Sequence, residues 1–214
     1  MIYFNEQKTF LTQEKAMPKL LKFAAKSDPI LRKTMPEIQH FEDASLHNTI
    51  DDMCYSIMPD QLKAANAPCP RAAGMAANQW GIEKRIFIFT PDGSEPNNRL
   101  EVMINPSYAP YLRPGELEFK LVAAYEGCFS VPLALGLVNR FDAISASYYT
   151  PSGDKVERIM EGWEARVFQH ETDHLDGKLY DGRLDQHQGP DCIERVIFQS
   201  DEEATAWLME KRAK

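Results

Sequence analysis

The chain has 214 residues, of which 43% are hydrophobic, and a formal net charge of −8. That is enough for one substantial core, and nothing in the length requires a second. The negative balance disfavours broad nucleic-acid binding, which needs clustered Lys and Arg to neutralise phosphates. The first residues, 1–19, mix Glu6, Lys8, Glu14 and Lys15 with short apolar patches. They lack the continuous apolar stretch of a signal peptide or membrane span, so a cytoplasmic location without membrane attachment is expected.

In chain order, Leu46, Ile50, Met53, Cys54, Ile57 and Met58 recur at helical spacing between Glu42 and Met58, and Pro59 stops the pattern. The run Gly74-Met75-Ala76-Ala77-Asn78-Gln79 permits close backbone packing and ends in an amide donor. Arg85–Phe89 and Glu101–Asn105 read as strands around a Pro91–Ser94 turn, and both are too apolar to be solvated on two faces. A hairpin is expected from Ala143–Tyr149 and Lys155–Met160 around Pro151–Asp154. A helix follows from Gly162 to Gly177, with Trp163, Val167, His170, Glu171 and His174 on roughly one side. Ser200-Asp201-Glu202-Glu203 is a capping-box pattern that opens a terminal helix through Trp207 and Leu208 toward Lys211 and Arg212. Strands before and around one central helix make the fold class α+β. One catalytic domain over 1–214 is expected, with 1–19 as an N-terminal extension and 191–214 as a C-terminal segment.

The chemistry concentrates in Gln169-His170-Glu171-Thr172-Asp173-His174. Residues four apart share a helix face, so His170 and His174 can reach one divalent ion while Glu171 leans toward its water. A catalytic metal needs a third protein ligand and one open position. Zinc proteases of the two-His type usually take that ligand from downstream, but the best candidate here is upstream, Cys128 in Glu126-Gly127-Cys128-Phe129-Ser130. The four cysteines, Cys54, Cys69, Cys128 and Cys192, are widely spaced with no Cys-x-x-Cys pair, which suits a reducing compartment and leaves Cys128 available as a thiolate. Cys54 reads as a small buried hydrophobe on the first helix. His40, His47 and His187 have no ligand-like spacing.

With these three runs in this order, the chain resembles the peptide deformylases. That family carries Gly-x-Gly-apolar-Ala-Ala-x-Gln, Glu-Gly-Cys-apolar-Ser and Gln-His-Glu-x-x-His. The resemblance extends from Ser27-Asp28-Pro29-Ile30-Leu31-Arg32 through Leu175-Asp176-Gly177. Two positions depart from the usual pattern: Ala72 replaces the first Gly of the first motif, and Phe129 stands where Leu is commoner. The resemblance implies antiparallel or mixed sheets packed around the metal-binding helix. It also implies removal of formyl from the N-terminal formyl-methionine of newly made polypeptides, with release of formate. One divalent metal ion is expected on Cys128, His170 and His174, Fe2+ in the cell, with Zn2+, Ni2+ or Co2+ able to use the same ligands.

Glu171 is then the expected general base, taking a proton from water and returning it to the departing amine. The Gln79 amide and the Phe129 N–H are the expected donors to the oxyanion. Gly74, Met75, Gly127, Trp163 and Val167 are expected around the substrate. Glu126 and Asp173 either orient a ligand imidazole or pair with Arg140; the alternative is solvated surface charge. Two other readings stay open: a zincin-like endopeptidase built on the same helix, and a deformylase-like protein whose metal is not catalytic.

The partners implied are N-formyl-methionyl nascent peptides and a transient ribosome contact, which some members make through a basic C-terminal helix. Here Arg195, Lys211, Arg212 and Lys214 stand against Asp191, Glu194, Asp201, Glu202, Glu203 and Glu210. That balance disfavours docking by the tail.

Overall fold

The computed structural model describes residues 17–67, 69, 71–90, 100–180 and 192–212. Most of the 1–19 extension, the Pro91–Ser94 turn and His187 lie outside the described residues. Helix α1 (Ala44–Ser56) is capped by the Asp43 carboxylate, which accepts from the Ser45 N–H. Pro59 ends that pattern as expected, but it also begins something: it occupies the first turn of a short helix α2 (Pro59–Ala64). A missing N–H costs nothing there and the fixed φ suits a helix start.

The strands form two antiparallel sheets. The first has the order β1-β2-β3-β6-β7, from β1 (Gly74–Ala76), β2 (Ile86–Phe89), β3 (Glu101–Pro110), β6 (Ala143–Tyr149) and β7 (Lys155–Glu161). The second pairs β4 (Leu121–Cys128) with β5 (Val131–Phe141), and β5 with β8 (Cys192–Ile197). Helix α3 (Gly162–Leu175) leaves β7 directly, and helix α4 (Asp201–Arg212) follows β8. The class is α+β, as the sequence implied. Strands β1, β4, β5 and β8 were not legible in the sequence, and β3 runs five residues beyond the Glu101–Asn105 segment, to Pro110.

Strand β2 shows why the apolar runs read as buried on both faces. Phe87 and Phe89 point into a core with Ile144, Met160, Phe168 and Leu175, where Phe168 meets Phe87 edge-on at 5.2 Å between ring centroids. Ile86 and Ile88 point the other way, into a second core beneath α1 with Leu46, Met53 and Trp80. Period-two alternation thus sends one strand's side chains into two cores, with α3 against one face and α1 against the other. At the far end of the chain, Ser200 Oγ accepts from the Glu203 N–H at 3.3 Å, while the Glu203 carboxylate accepts from the Gln199 N–H at 2.7 Å. The Ser200 half of the capping box is thus made as expected, and the reciprocal bond falls one residue further back than in the usual pattern.

The C-terminus of α3 is pinned from three directions. Met35 N–H donates to the Leu175 carbonyl at 2.7 Å, Asn78 Nδ2 to the His174 carbonyl at 2.6 Å, and Arg85 pairs with Asp176 at 2.8 Å. Gly177 turns the chain at φ 71°, and a Cβ there would lie 2.6 Å from the backbone C and O of Arg32. Left-handed backbone penalises any Cβ by about 1–2 kcal/mol, and this neighbour is main chain rather than a movable side chain. Gly177→Ala is therefore expected to lower stability by at least about 2 kcal/mol, read as a fall in the denaturant midpoint without a change in m.

Candidate active site

Helix α3 presents its polar stripe inward, an arrangement with a large desolvation cost unless every group finds a partner. His170 and His174 lie one turn apart, and Cys128, at the end of β4 where a register shift breaks the ladder, comes up beside them. Cys128 Sγ is 3.1 Å from His174 Nε2, and one donor atom from each of Cys128, His170 and His174 falls within 4.8 Å of the others. None of Cys54, Cys69 and Cys128 is in a disulfide.

The His170 ring is fixed from behind. Its Nδ1 lies 2.9 Å from Glu126 Oε2, so Nδ1–H donates to the carboxylate and Nε2 is left for the cluster. Glu126 is held in turn by two guanidinium groups. Arg140 Nε and NH2 reach its two oxygens at 3.0 and 2.9 Å, and Arg166 NH1 donates to Oε1 at 2.6 Å. Arg140 also pairs with Asp173. All four charged side chains are buried, so the alternative of solvated surface charge for Glu126, Asp173 and Arg140 does not hold. Arg166 was not singled out from the sequence. The signal was there, a cation four residues before His170 on the inner face of the helix.

Burial alone would raise the Glu126 carboxyl, but the Arg140 charge and the hydrogen bonds from His170 and Arg140 hold it well below the usual carboxylate range. Burial would likewise lower His170, yet its contacts with Cys128 and Glu126 hold it well above the usual imidazole range. His174 goes the other way: burial, reinforced by the positive charge at His170 and Arg140, pushes it well below. Glu171 is 4% exposed, its Oε2 has no hydrogen-bond partner, and burial pushes its carboxyl up to about 7.

Strand β1 leads into a 3-10 turn, Ala77–Trp80, that carries Gln79. The Gln79 Oε1 accepts from the Ala76 N–H at 2.9 Å, which turns the amide nitrogen outward to Ser130 Oγ at 3.3 Å and Cys128 Sγ at 3.5 Å. Gly74 faces Glu171 so closely that a Cβ would sit 2.9 Å from the Glu171 Cγ and Oε1. Phe129 begins the two-residue turn between β4 and β5, its ring stacked on Phe23 at 5.6 Å and 4°.

A cavity of about 520 Å³ opens over this cluster, with Gly74, Gln79, Gly127, Cys128, Phe129, Trp163, Val167, His170 and Glu171 on its wall. Trp163 is 52% exposed at this wall. Met75 does not line the cavity. Strand alternation turns it to the opposite side of β1 from Gly74, where it is wholly buried under α1. Ala72, the departure from the first motif, is buried and also lines the cavity.

A thiolate and two imidazoles, preassembled with a buried carboxylate turned toward them, suit a first-row divalent ion with an open position. This fold and this site define a metal-dependent hydrolase. The model of the family described as Polypeptide deformylase matches residues 20–189, and the chain belongs to that family. Peptide deformylase 2 of Bordetella bronchiseptica is 35% identical over 165 residues, covering 73% of this chain and 83% of that one. Among solved structures, the peptide deformylase from Thermotoga maritima aligns with a TM-score of 0.60 at 31% identity, over 77% of this chain and 97% of that one. The Met-Ala-Ser-bound class I type b enzyme from Acinetobacter baumannii aligns with a TM-score of 0.60 at 30% identity, over 78% of this chain and 99% of that one. No described helix is long and apolar enough to cross a membrane.

Proposed function

We propose that the chain removes the formyl group from N-terminal formyl-methionine of newly made polypeptides in the cytoplasm, releasing formate, with Cys128, His170 and His174 holding one divalent ion. The convergence of a β4 thiol with two α3 imidazoles beside Glu171 carries this reading. Family membership supplies the reaction. Fe2+ is the ion the family favours in the cell, and the same donors would accept Zn2+, Ni2+ or Co2+. Such an ion, when bound, would lower the pKa of water at the site toward neutrality and so supply a nucleophile near pH 7.

The remaining work falls to side chains of this chain. Glu171 accepts the proton of the attacking water at its unpartnered Oε2 and returns it to the departing amine. The Gln79 amide nitrogen, aimed outward by the Ala76 N–H, donates to the carbonyl oxygen as it becomes negative, and the Phe129 N–H is the second donor. Pre-aimed donors of this kind are worth about 3–4 kcal/mol each. Glu126, fixed by Arg140 and Arg166, keeps the His170 proton on Nδ1 and so keeps Nε2 a ligand. Gly74, Gly127, Trp163 and Val167 flank the formylated residue, with the two glycines leaving room for the peptide backbone to approach.

A zincin-like endopeptidase would draw its third ligand from beyond the helix, whereas the sulfur that meets the two imidazoles here comes from a strand before it. The test is formate release from formyl-Met-Ala-Ser by anaerobically purified protein, with metal analysis on the same sample. Cys128→Ser is expected to reduce bound metal to below about a tenth of an ion per chain and to abolish formate release, because a hydroxyl is a much poorer ligand than a thiolate for these ions. Retention of metal and activity by that variant would overturn the ligand assignment.

A further inference from the structure

We propose that helix α4 forms the wall of the cavity that reads the residues following the formylated one, its small side chains Ala204 and Thr205 setting how bulky those residues can be. This deepens the deformylase reading above and rests on it.

The wall that includes Cys128, His170 and Glu171 also includes Phe198, Ala204 and Thr205, from the segment after β8 and the first two turns of α4. These three residues lie beyond residue 189, where the family match stops. At about 520 Å³ the space holds more than a single amino-acid side chain, so a peptide with its formyl end at the cluster runs toward α4.

The helix is anchored to the same hairpin that carries Cys128. Strand β8 pairs with β5 through Ala134↔Ile197, Leu135↔Val196 and Leu137↔Glu194. Tyr125 of β4, itself on the cavity wall, donates to Glu194 at 3.0 Å and meets the Trp207 ring edge-on at 4.7 Å. The Phe198 N–H donates at 2.8 Å to the carbonyl of Leu133, a cavity residue held at φ 57°. A leucine in left-handed backbone is strained and persists only where the surroundings impose it. Here the tie to the tail is one of those surroundings. A wall fastened at the strands of the active site keeps its position as substrate enters, and size selection follows from what its side chains leave open. Ala204 and Thr205 are the smallest groups on that side, so enlarging one acts on the distal residues before it acts on the formyl group.

The experiment compares kcat/KM for formyl-Met-Ala-Ser with that for formyl-Met amide, in the wild-type protein and in Ala204→Phe, both loaded with the same metal. The ratio of the longer to the shorter substrate is expected to fall at least about tenfold in the variant. Independently, hydrogen exchange of residues 201–208 in the wild type is expected to slow with saturating Met-Ala-Ser and not with free methionine. A folded Ala204→Phe protein whose ratio stays within about twofold of wild type overturns the proposal. Exchange in α4 that Met-Ala-Ser leaves unchanged overturns it too, and decides the matter if the variant does not fold. If the wild type releases formate from neither substrate, the deformylase reading falls instead.

Discussion

Glu171→Gln is expected to lower kcat by at least about a thousandfold while making the metal-free protein more stable at pH 8. The loss follows from removing the group that both accepts and returns the proton, since positioned acid–base groups contribute about 10²–10⁴-fold. The stability gain follows from the same burial. Glu171 is pushed up from 4.5 to about 7, so the folded state binds its proton more tightly than the unfolded state does. Stability from this group is therefore complete below the unfolded value and is lost as pH rises through about 7, at 1.36 kcal/mol per unit. Two and a half units correspond to about 3 kcal/mol of destabilisation above pH 7, which a neutral amide of the same shape removes. Denaturant unfolding of metal-free wild type and variant at pH 5 and pH 8 checks this: the two proteins should converge at the lower pH. Equal stability at both would mean that the carboxylate is not desolvated.

The second large effect is expected from Arg140→Met. Arg140 reaches Glu126 with two nitrogens and Asp173 with a third, all of them buried. Its removal leaves Glu126 to Arg166 and His170 and takes the guanidinium from Asp173, and breaking a buried charge group in this way costs about 3–5 kcal/mol. The sign with pH is opposite to that of Glu171. Glu126 is held below its unfolded value, so its contribution is present above about 4.5 and is lost as pH falls through the folded value. The variant should therefore be most destabilised relative to wild type near neutrality, and the gap should narrow in acid. His170 loses its fixed orientation as well, because Arg140 no longer steadies the carboxylate that takes its Nδ1 proton. Weaker metal retention on dialysis should accompany the loss of stability, and Arg140→Lys should restore less than half of it, because a single ammonium cannot span both carboxylates.

Much of the site was legible because its signals are short-range. The His170 and His174 pair is a helical repeat, Gln79 closes a run of small residues, and α3 is bounded by Gly162 and Gly177, which survive in the structure as positive-φ positions at its two ends. What could not be read was long-range. The β4–β5 hairpin carries mixed residues on a half-exposed sheet, so its alternation is weak, and β8 pairs with β5 across more than fifty residues. Met75 is expected around the substrate but faces the core under α1, because the strand that contains it is three residues long, too short for a period to show. Arg166 escaped because a cation on an inner helix face is intelligible only once Glu126 is seen to reach it.

By itself the sequence determined the chemistry available: which donors, which base, and on which helix, since those depend on residues within a few turns of one another. Only the tertiary structure decided the rest. It brought the thiol to the imidazoles, it assembled four buried charges into one network behind His170, and it laid the C-terminal helix along the cavity. Each of these joins segments far apart in the chain, and a local pattern carries no information about partners whose approach depends on how the two sheets pack around α3.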